Sequence, residues 1–562
     1  MTKKLAITIS GAVSLGSYEA GVLYELIRTI QHHNEHEADE TKKIEIDVLT
    51  GASAGGMTAA IAAQKLLFEA SSLQEPYNNS LYRAWVKDIS FDSLINLQHD
   101  EDPTHSILSS NAVEDISKKH LINRYETQVK PLTDKHPAAA DFVYLGLAMT
   151  NLNGVDYVRD IKPRGEFCYT RYSDTLKKKL SRPNDIKSDW EIIRNAAISC
   201  GAFPFAFRVK DLARDYSEYK NDLSHSPFLP LIPYGSFPTP YRNFTYTDGG
   251  TFHNEPLGLA KNLVDQQDSP HDYNDQRFYL FISPASREST KNSEFNEKSA
   301  NFSGSAKAIV SAIFNQARFH DWITAEQINE KIKNLDDRAN QLSEALLNDT
   351  INPLQLVEAS SGLLKLLFNN DIKLESARDR LKKQYREDYK KLSSSHLTEK
   401  GADVWVDTIL VFETAADLGN KDEMQIFGIT AKDEELAGGK LVAFLGFFDQ
   451  SYRDHDYDVG RTKAREFIQK VNANTKVDLW FPYHPANDPN NQTEPWMNIR
   501  EIDENLNNLP LSDVPRNLRE KFRDRLVDRI NDFMSQEDIP WLGRKALTSL
   551  IITPKLNKLL EL

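Results

Sequence analysis

The pattern G-x-S-x-G at residues 51–55 directly follows a short apolar run at residues 48–50. At a tight turn between a strand and a helix, this pattern presents a serine hydroxyl for attack, because glycines lack the Cβ atoms that would crowd the turn. The helix that follows points its positive end at the serine and favours a developing oxyanion. Ser53 is therefore the candidate nucleophile, with Gly51 and Gly55 shaping its turn. A glycine-rich turn around a buried serine is the alternative interpretation.

A serine nucleophile needs a base, and Asp248 is the strongest candidate. It ends an apolar, aromatic stretch and is followed by two glycines that allow close backbone approach. A carboxylate can take the serine proton when burial raises its pKa from the reference value of about 4. The alternatives are a plain Asp-Gly-Gly turn and a histidine base. Among the 14 histidines, only His253 lies in a suggestive context.

Residues 10–16 carry two glycines in a turn that follows the first predicted strand. Such a turn offers successive free N–H groups that can cradle an anion. An anion pocket, a nucleophile and a carboxylate then follow one another along the chain. Together they favour acyl-transfer chemistry more strongly than any one of them does.

The elements that position these residues follow from the apolar pattern. Alternating strands and helices at this spacing predict parallel βαβ units with right-handed crossovers. The predicted strands are 5–9, 44–49, 142–150 and 278–283, and the predicted helices are 17–30, 55–69 and 190–198. A secretion signal is the alternative interpretation of the N-terminal apolar segment.

The second half of the chain differs in character. Apolar residues at three- and four-residue intervals over 306–395 predict a helical hairpin or small bundle. This segment is either a cap or oligomerisation arm, or an inserted structural layer. The remaining predicted elements are strands at 405–412, 424–430 and 477–483 and a helical tail from residue 515. The predicted domains are 1–290, 291–400 and 401–562.

Composition limits the class of protein. The 562 residues carry a formal net charge of −14, which disfavours nucleic acid as a partner. Two cysteines form no disulfide framework, which favours a reducing compartment and predicts a cytoplasmic location. The chain lacks an apolar run of about 18 residues, so no membrane-spanning helix is predicted.

The motifs together resemble those of the patatin-like phospholipase family. That family has a glycine-rich turn after the first strand, G-x-S-x-G after the second, and a later D-G-G or D-G-A. The segment 196–207 is similar to its A-x-x-A-S-x-A-x-P-x-x-F stretch, and Asn254 and Pro256 resemble its N-x-P. The match covers roughly residues 1–290.

The resemblance implies a three-layer α/β/α fold with a mainly parallel sheet. It implies a Ser53–Asp248 dyad without histidine that hydrolyses lipid acyl esters through an acyl-enzyme. The main-chain amides of Gly11, Ala12 and Val13 would bind the oxyanion. The expected substrate is a lipid or another acyl ester, with peripheral membrane contact as a further expectation. No metal or other cofactor is expected.

The chain departs from the family pattern in its first turn, where Leu15 stands in the usual place of a basic residue. That change puts in doubt whether this turn binds a phosphate tightly. Residues 444–461 resemble a larger bacterial patatin-related subgroup. Within that stretch, Arg453, Asp456 and Arg461 form either a functional cluster or a structural ion-pair network.

Three phenylalanines, Phe203, Phe205 and Phe207, and a proline- and aromatic-rich loop at 226–241 are candidates for an acyl channel or a membrane contact. Core packing of these residues is the alternative.

Two rival functions remain open from the sequence. One is a soluble carboxylesterase or thioesterase, and the other is a non-catalytic scaffold that binds a protein partner. Head-group preference, the acyl position cleaved and the oligomeric state stay open.

Overall fold

The computed structural model describes residues 2–102, 104–126, 135–161, 165–204, 206–220, 229–230, 241–267, 276–284, 296–297, 305, 312, 320–368, 371–416, 418, 424–439, 443–473, 481, 494–507, 509–536 and 540–562. The chain divides into two compact units. The first comprises Met1–Ala260, Phe278–Phe319 and Ile426–Leu562, and the second comprises Lys261–Arg277 and His320–Gln425. The predicted three-part division at residues 290 and 400 stays a prediction.

Both units are built from regular elements. The strands are β1 Lys3–Ile9, β2 Ile44–Ala52, β3 Ala139–Ile161, β4 Gly165–Ser181, β5 Lys210–Asp215, β6 Leu229–Pro230, β7 Tyr241–Asp248, β8 Arg277–Ser283 and β9 Gln425–Thr430. The helices are α1 Gly16–His36, α2 Ala54–Phe68, α3 Ser80–Tyr82, α4 Phe91–Ile95, α5 Ser110–Leu121, α6 Lys187–Cys200, α7 Tyr216–Lys220, α8 Leu257–Gln267, α9 His320–Leu347, α10 Pro353–Leu367, α11 Asp371–Gln384, α12 Arg386–Ser393, α13 Thr398–Ala415, α14 Gln450–Ala473, α15 Arg516–Gln536, α16 Trp541–Leu547 and α17 Thr553–Leu559. Single π-helical turns follow α3 at Arg83–Lys87 and α16 at Thr548–Ile552.

The described strands form one sheet in the order β5-β7-β3-β2-β1-β8-β9, with β4 and β6 also paired to β3. At the centre of the sheet, β2 pairs in parallel with β1 on one side and with β3 on the other. On β3 the pairing changes direction, because β4 and β7 are both antiparallel to it. The predicted α/β fold class is confirmed, with parallel strands at the centre of the sheet.

Parallel pairing brings the ends of β1 and β2 to the same edge of the sheet. Ile9 pairs with Gly51, so the turn after β1 and the turn after β2 lie side by side. Ser53 follows directly after β2. The predicted first strand is confirmed as β1 and contributes to the buried core.

The register on the other side of β2 brings in the end of β7. Ala52 of β2 pairs with Ala148 of β3, and the next residue of β3, Met149, pairs with Asp248 of β7. Neighbouring strands lie about 4.8 Å apart. The last residue of β7 is therefore two strands away from the serine turn at the same sheet edge.

Helix α2 begins at the serine turn and is buried along almost its whole length. Its small residues Ala59, Ala60, Ala62 and Ala63 have no exposed surface. A helix buried all round against a sheet needs such small side chains so that its backbone can approach closely. This rigid packing holds the N-terminus of α2, and with it Ser53, in place.

The second unit contains the predicted helical bundle. Ile332, Leu335, Ala339, Leu342 and Leu346 of α9 are buried at helical spacing, as the sequence pattern predicts. Residues 306–319 of the predicted bundle lie almost wholly outside the described residues.

The strand predicted over 405–412 is wrong, because these residues lie in α13. Their β-branched and aromatic side chains favour a strand locally. The tertiary structure instead buries Trp405, Val406, Ile409 and Leu410 at helical spacing. The Trp405 indole also donates to the Ala339 carbonyl oxygen at 3.0 Å. Packing against the bundle outweighs local propensity here.

The remaining predictions for the C-terminal part have different outcomes. The strand predicted over 424–430 is confirmed as β9, and the helical tail from residue 515 is confirmed by α15, α16 and α17. The strand predicted over 477–483 lies outside the described residues except for Phe481, which is buried.

Candidate active site

Ser53 occupies the strained turn between β2 and α2. Its backbone has φ 50° and ψ −129°, a conformation that residues with a side chain rarely adopt. A Cβ on Gly51 would lie 2.3 Å from the Gly55 carbonyl oxygen, and a Cβ on Gly55 would lie 2.3 Å from the Ser10 carbonyl oxygen. Both elbow positions therefore require glycine for steric reasons.

The turn after β1 packs directly against the serine. A Cβ on Gly11 would lie 2.9 Å from the Ser53 Cβ and 2.2 Å from Oδ1 of Asn254. Glycine at this position lets the turn approach the serine within van der Waals contact. The first predicted motif and the G-x-S-x-G motif thus form adjoining walls of one site.

Ser53 and Asp248 are joined by a direct hydrogen bond. The Ser53 hydroxyl donates to Oδ2 of Asp248 at 2.7 Å, and both side chains are buried. Oδ1 of Asp248 accepts the Gly250 N–H at 2.7 Å, and the Thr150 hydroxyl donates to the Asp248 carbonyl oxygen at 2.8 Å. These bonds hold the carboxylate in one orientation towards the serine.

Burial raises the pKa of Asp248 to about 7. The hydrogen bonds from Ser53 and Gly250 act in the opposite direction, because they favour the charged form. A carboxylate that titrates near neutrality is a much stronger base than an exposed aspartate and still ionises at physiological pH. A carboxylate placed in this way can act as a general base for the serine without a histidine.

Free main-chain amides lie on both sides of the serine. The N–H groups of Ala12, Val13 and Ala54 have no hydrogen-bond acceptor among the described residues. The N–H of Gly11, which the resemblance also assigns to the oxyanion pocket, donates to the Asn254 carbonyl oxygen at 3.2 Å. Candidate oxyanion donors in this structure are therefore Ala12 and Val13, joined by Ala54 at the start of α2.

Val13 is itself strained. Its φ of 52° is unusual for any residue with a side chain and most unusual for a β-branched one. The turn is held by the Leu15 N–H, which donates to the Ala12 carbonyl oxygen at 3.0 Å. Strain of this kind persists only where the surroundings hold the backbone, and it is concentrated at functional sites.

Ser53 opens into a narrow pocket of about 60 Å³ with almost wholly apolar walls. Phe203 and Phe207, predicted from the sequence as channel residues, both line it. Phe205 lies outside the described residues. Met57 and Ile61 of α2 also line the pocket.

Sequence reasoning missed part of the pocket wall. Trp85 and Ile89 contribute from the segment after α3, and Phe447 contributes from the C-terminal part of the chain. The ring of Phe444 packs edge-on against Phe203 with centroids 5.7 Å apart. The apolar run at 444–448 was the available signal, but nothing in the sequence assigned it to this site.

The same C-terminal segment supports the turn after β1. The Ser14 hydroxyl donates to the Ala443 carbonyl oxygen. A Cβ on Gly446 would lie 2.5 Å from the Ser14 oxygen, and one on Gly438 would lie 3.2 Å from it. Gly438 and Gly446 thus allow their backbone to pack closely against the turn that carries the candidate oxyanion donors.

Asp456 of α14 anchors this segment from the other side. It is fully buried, and its two carboxylate oxygens accept the N–H groups of Ala437 at 2.8 Å and Gly438 at 3.0 Å. Burial raises its pKa to about 7, and the two amides oppose that shift. Asp456 therefore binds backbone rather than forming an exposed charge cluster.

The neighbouring arginines bind separate partners. The Arg453 guanidinium donates to main-chain carbonyls, among them Val86 at 3.1 Å, Ile89 at 2.8 Å and Gly446 at 2.8 Å. Arg453 therefore connects the segment after α3, which contributes Ile89 to the pocket wall, with the C-terminal segment that contributes Phe447. Arg461 instead forms a fully buried ion pair with Glu25 of α1 at 2.9 Å. Within the part of the chain described, Arg453, Asp456 and Arg461 do not pair with one another.

The described ranges offer neither a metal site nor a membrane-spanning helix. These residues contain no group of three or more His, Cys, Asp or Glu side chains placed to hold a metal ion. Among the same residues, no helix is long and apolar enough to cross a bilayer.

Comparison with known proteins agrees with this geometry. The model of the patatin-like phospholipase family matches residues 7–261, which contain the serine turn, the carboxylate and the turn after β1. An uncharacterized protein of Sinorhizobium fredii, y4iI, is 24% identical over 356 residues. That match covers 50% of this chain and 49% of the relative, so the chain spans about half the length of this curated protein. Residues 7–261 are therefore similar to the patatin-like phospholipase family.

Proposed function

We propose that this protein hydrolyses fatty-acyl esters of lipids with a Ser53–Asp248 dyad and an acyl-enzyme intermediate. The observation that carries the proposal is the 2.7 Å hydrogen bond between the two buried side chains at the mouth of an apolar pocket. The match of residues 7–261 to the patatin-like phospholipase family supports ester hydrolysis as the reaction class.

In the first step, Oδ2 of Asp248 takes the hydroxyl proton as the Ser53 oxygen attacks the ester carbonyl carbon. The carbonyl oxygen becomes an oxyanion. When the tetrahedral intermediate collapses, the bond to the alcohol breaks and Asp248 returns its proton to that leaving oxygen. The products are a free alcohol, such as a lysolipid, and acyl-Ser53.

In the second step, Asp248 takes a proton from water, and the resulting hydroxide attacks the acyl carbon. The Ser53 oxygen leaves and recovers its proton from Asp248, which releases the fatty acid and restores the dyad. Asp248 carries out every proton transfer in the two steps. A pKa of about 7 suits a carboxyl group that must both accept and donate a proton near neutral pH.

The amides of Ala12 and Val13 are the proposed oxyanion donors, with Ala54 and the positive end of α2 on the other side. Their N–H groups have no acceptor among the described residues, and Val13 and Ala54 line the pocket. Preorganised donors at the developing negative charge stabilise the transition state and require no reorganisation during the reaction. Helix α2 also favours the oxyanion through its dipole.

The apolar pocket supports a hydrocarbon chain as the acyl group. Its walls include Met57, Ile61, Trp85 and Phe207, which offer contacts to methylenes and hardly any hydrogen-bonding groups. Burying each methylene of the chain contributes about 0.8 kcal/mol. The small size of the cavity, about 60 Å³, favours a second candidate, hydrolysis of short-chain soluble esters.

The dyad is tested by labelling the purified protein with a fluorophosphonate, which reacts with activated serines. We expect labelling of the wild type and loss of about 10³-fold or more in rate in Ser53→Ala and in Asp248→Asn. Ser117→Ala is the matched control, because Ser117 also lines the pocket but donates its hydroxyl to the Glu114 carbonyl oxygen. A wild type that never labels would favour a non-catalytic scaffold.

The substrate class is tested by incubating the protein with a mixed lipid extract and identifying the fatty acids and lysolipids released. Release by the wild type and not by Ser53→Ala supports the lipid hydrolase. Hydrolysis confined to short soluble esters would replace it with the second candidate.

A further inference from the structure

The last described segment of the chain is helical and exposes large apolar side chains. Residues 541–559, comprising α16, the π-helical turn and α17, are called here the C-terminal helix. Trp541 is 61% exposed, Leu542 73%, Leu550 76% and Ile551 46%. Single exposed apolar residues are common on protein surfaces, but a row of four on one short helical segment is not.

Polar groups make several of the contacts between this end of the chain and α15. Thr548 donates to Oδ1 of Asn531 at 2.5 Å, and Arg523 donates to Oδ1 of Asn557 at 3.1 Å. Arg519 donates to the Leu560 carbonyl oxygen at 2.8 Å just after the helix. A surface helix ordinarily buries its apolar side in its own domain and turns its polar side to solvent. Here Leu542 and Leu550 instead face solvent, which leaves apolar surface available to a partner.

Charge identifies the kind of partner. The C-terminal helix carries Arg544, Lys545, Lys555 and Lys558 and no acidic residue, although the whole chain has a net charge of −14. The Lys545 ammonium lies 5.1 Å from the ring centroid of Trp541, so cation and aromatic ring are presented together. Lysine beside tryptophan on an apolar helical face is typical of helices that lie at a membrane interface.

We propose that the C-terminal helix docks the protein on an anionic lipid surface, with Leu542 and Leu550 in the acyl region and Trp541 and the lysines at the level of the lipid phosphates. The inference rests on the proposed function, since it supplies the surface on which a lipid hydrolase meets its substrate. A bilayer satisfies the apolar and the basic groups at once. A symmetric contact with the same helix of a second copy would instead bring like cations together.

The test measures co-sedimentation of the full-length protein with vesicles of phosphatidylglycerol and phosphatidylcholine. We expect Leu542→Ser/Leu550→Ser to bind at least tenfold more weakly, because two leucines leave the acyl region. The matched control is Leu354→Ser/Leu366→Ser in α10, whose leucines are 75% and 78% exposed. Both pairs are exposed, so neither change removes a buried contact, and the control should bind like the wild type.

The basic side chains are tested separately. Lys545→Glu/Lys555→Glu should weaken binding at least tenfold at low salt, and pure phosphatidylcholine vesicles should bind the wild type more weakly than the anionic ones. Equal binding of the wild type and Leu542→Ser/Leu550→Ser would overturn the proposal, as would an equal loss in the α10 control. A wild-type dimer that the Leu542→Ser/Leu550→Ser change dissociates, without vesicle binding by either protein, would assign the face to self-association.

Failure of docking and failure of the proposed function give different results. Hydrolysis of a soluble short-chain ester should be the same in the wild type and in Leu542→Ser/Leu550→Ser, and Ser53→Ala should still bind vesicles. Vesicle binding without any ester hydrolysis would reject the proposed function and leave the docking surface. Ester hydrolysis without vesicle binding would reject the docking surface alone.

Discussion

Gly21 of α1 and Gly460 of α14 lie at a reciprocal close crossing of two helices. A Cβ on Gly21 would lie 2.1 Å from the Tyr457 carbonyl oxygen, and one on Gly460 would lie 2.2 Å from the Tyr18 carbonyl oxygen. The contact is backbone to backbone, so it cannot be relieved by a side-chain rotation. It joins α14, which carries Arg453 and Asp456, directly to α1, which begins at the turn beside Ser53.

The close crossing predicts that Gly460→Ala is destabilising. The added methyl group must push α14 away from α1, and overpacking of this kind costs about 3 kcal/mol. Thermal unfolding and the soluble yield of the variant measure the effect. Gly362→Ala in α10 is the matched control, because nothing lies within 4 Å of its added Cβ. Alanine is the better helix former, so that control should be neutral or stabilising by up to about 1 kcal/mol. Equal stability of both variants would contradict the crossing.

The contact between Ser14 and Ala443 predicts that Ser14→Ala lowers kcat by about tenfold and leaves KM almost unchanged. Ser14 does not contact the dyad. It positions the turn whose amides are the proposed oxyanion donors, and that turn acts on the transition state rather than on the bound substrate. Steady-state kinetics on a soluble ester give the two parameters.

Ser360→Ala provides the matched control for that change. Ser360 is also a buried serine whose hydroxyl donates to a backbone carbonyl, that of Leu356 at 2.7 Å, but it lies in the second compact unit. It should leave both kinetic parameters unchanged. A rise in KM alone in Ser14→Ala would show that the turn acts in substrate binding instead.

The raised pKa of Asp248 predicts an acid limb in the pH dependence of kcat/KM. The base must be ionised, so activity should fall about tenfold for each pH unit below about 7. Initial rates on an uncharged ester between pH 5 and pH 9 test this. A limb near pH 4, the ordinary range of an aspartate, would show that the carboxylate is not in the buried environment described.

Asp456 predicts how stability depends on pH. Its pKa is raised in the folded protein to about 7, so the folded state binds the proton more tightly than the unfolded state does. Its contribution to stability is therefore fully present below about pH 4 and is lost as the pH rises through about 7. Asp248 contributes with the same sign, since its pKa is also raised.

Asp456→Asn should therefore flatten the decline of the free energy of unfolding between pH 5 and pH 8, measured by urea unfolding. It should also lower stability at every pH, because an amide group cannot accept both the Ala437 and the Gly438 N–H. The exposed Asp433→Asn change is the control and should leave the slope as in the wild type. An unchanged slope in Asp456→Asn would contradict the buried, neutralised carboxyl group.

The amino-acid sequence alone determined those features whose residues are neighbours along the chain. The serine turn, its glycines and the helix after it follow from a few adjacent residues, because turn geometry and helix formation are local. Asp248 could also be singled out, but only by its local context and by resemblance to a family. The strand predicted over 405–412 shows the limit of local reasoning, since Trp405 and Ile409 are helical through packing with residues distant in sequence.

Only the tertiary structure decided which distant residues meet. Sheet register joins Ser53 to a carboxylate 195 positions away, and long-range packing places Phe447 in the pocket and Ala443 against Ser14. The tertiary structure also decided that the Gly11 N–H donates to the Asn254 carbonyl oxygen, and that Leu542 and Leu550 of the C-terminal helix face solvent. The physical reason is that burial and hydrogen-bond pairing depend on contacts between distant segments, which local propensities do not encode.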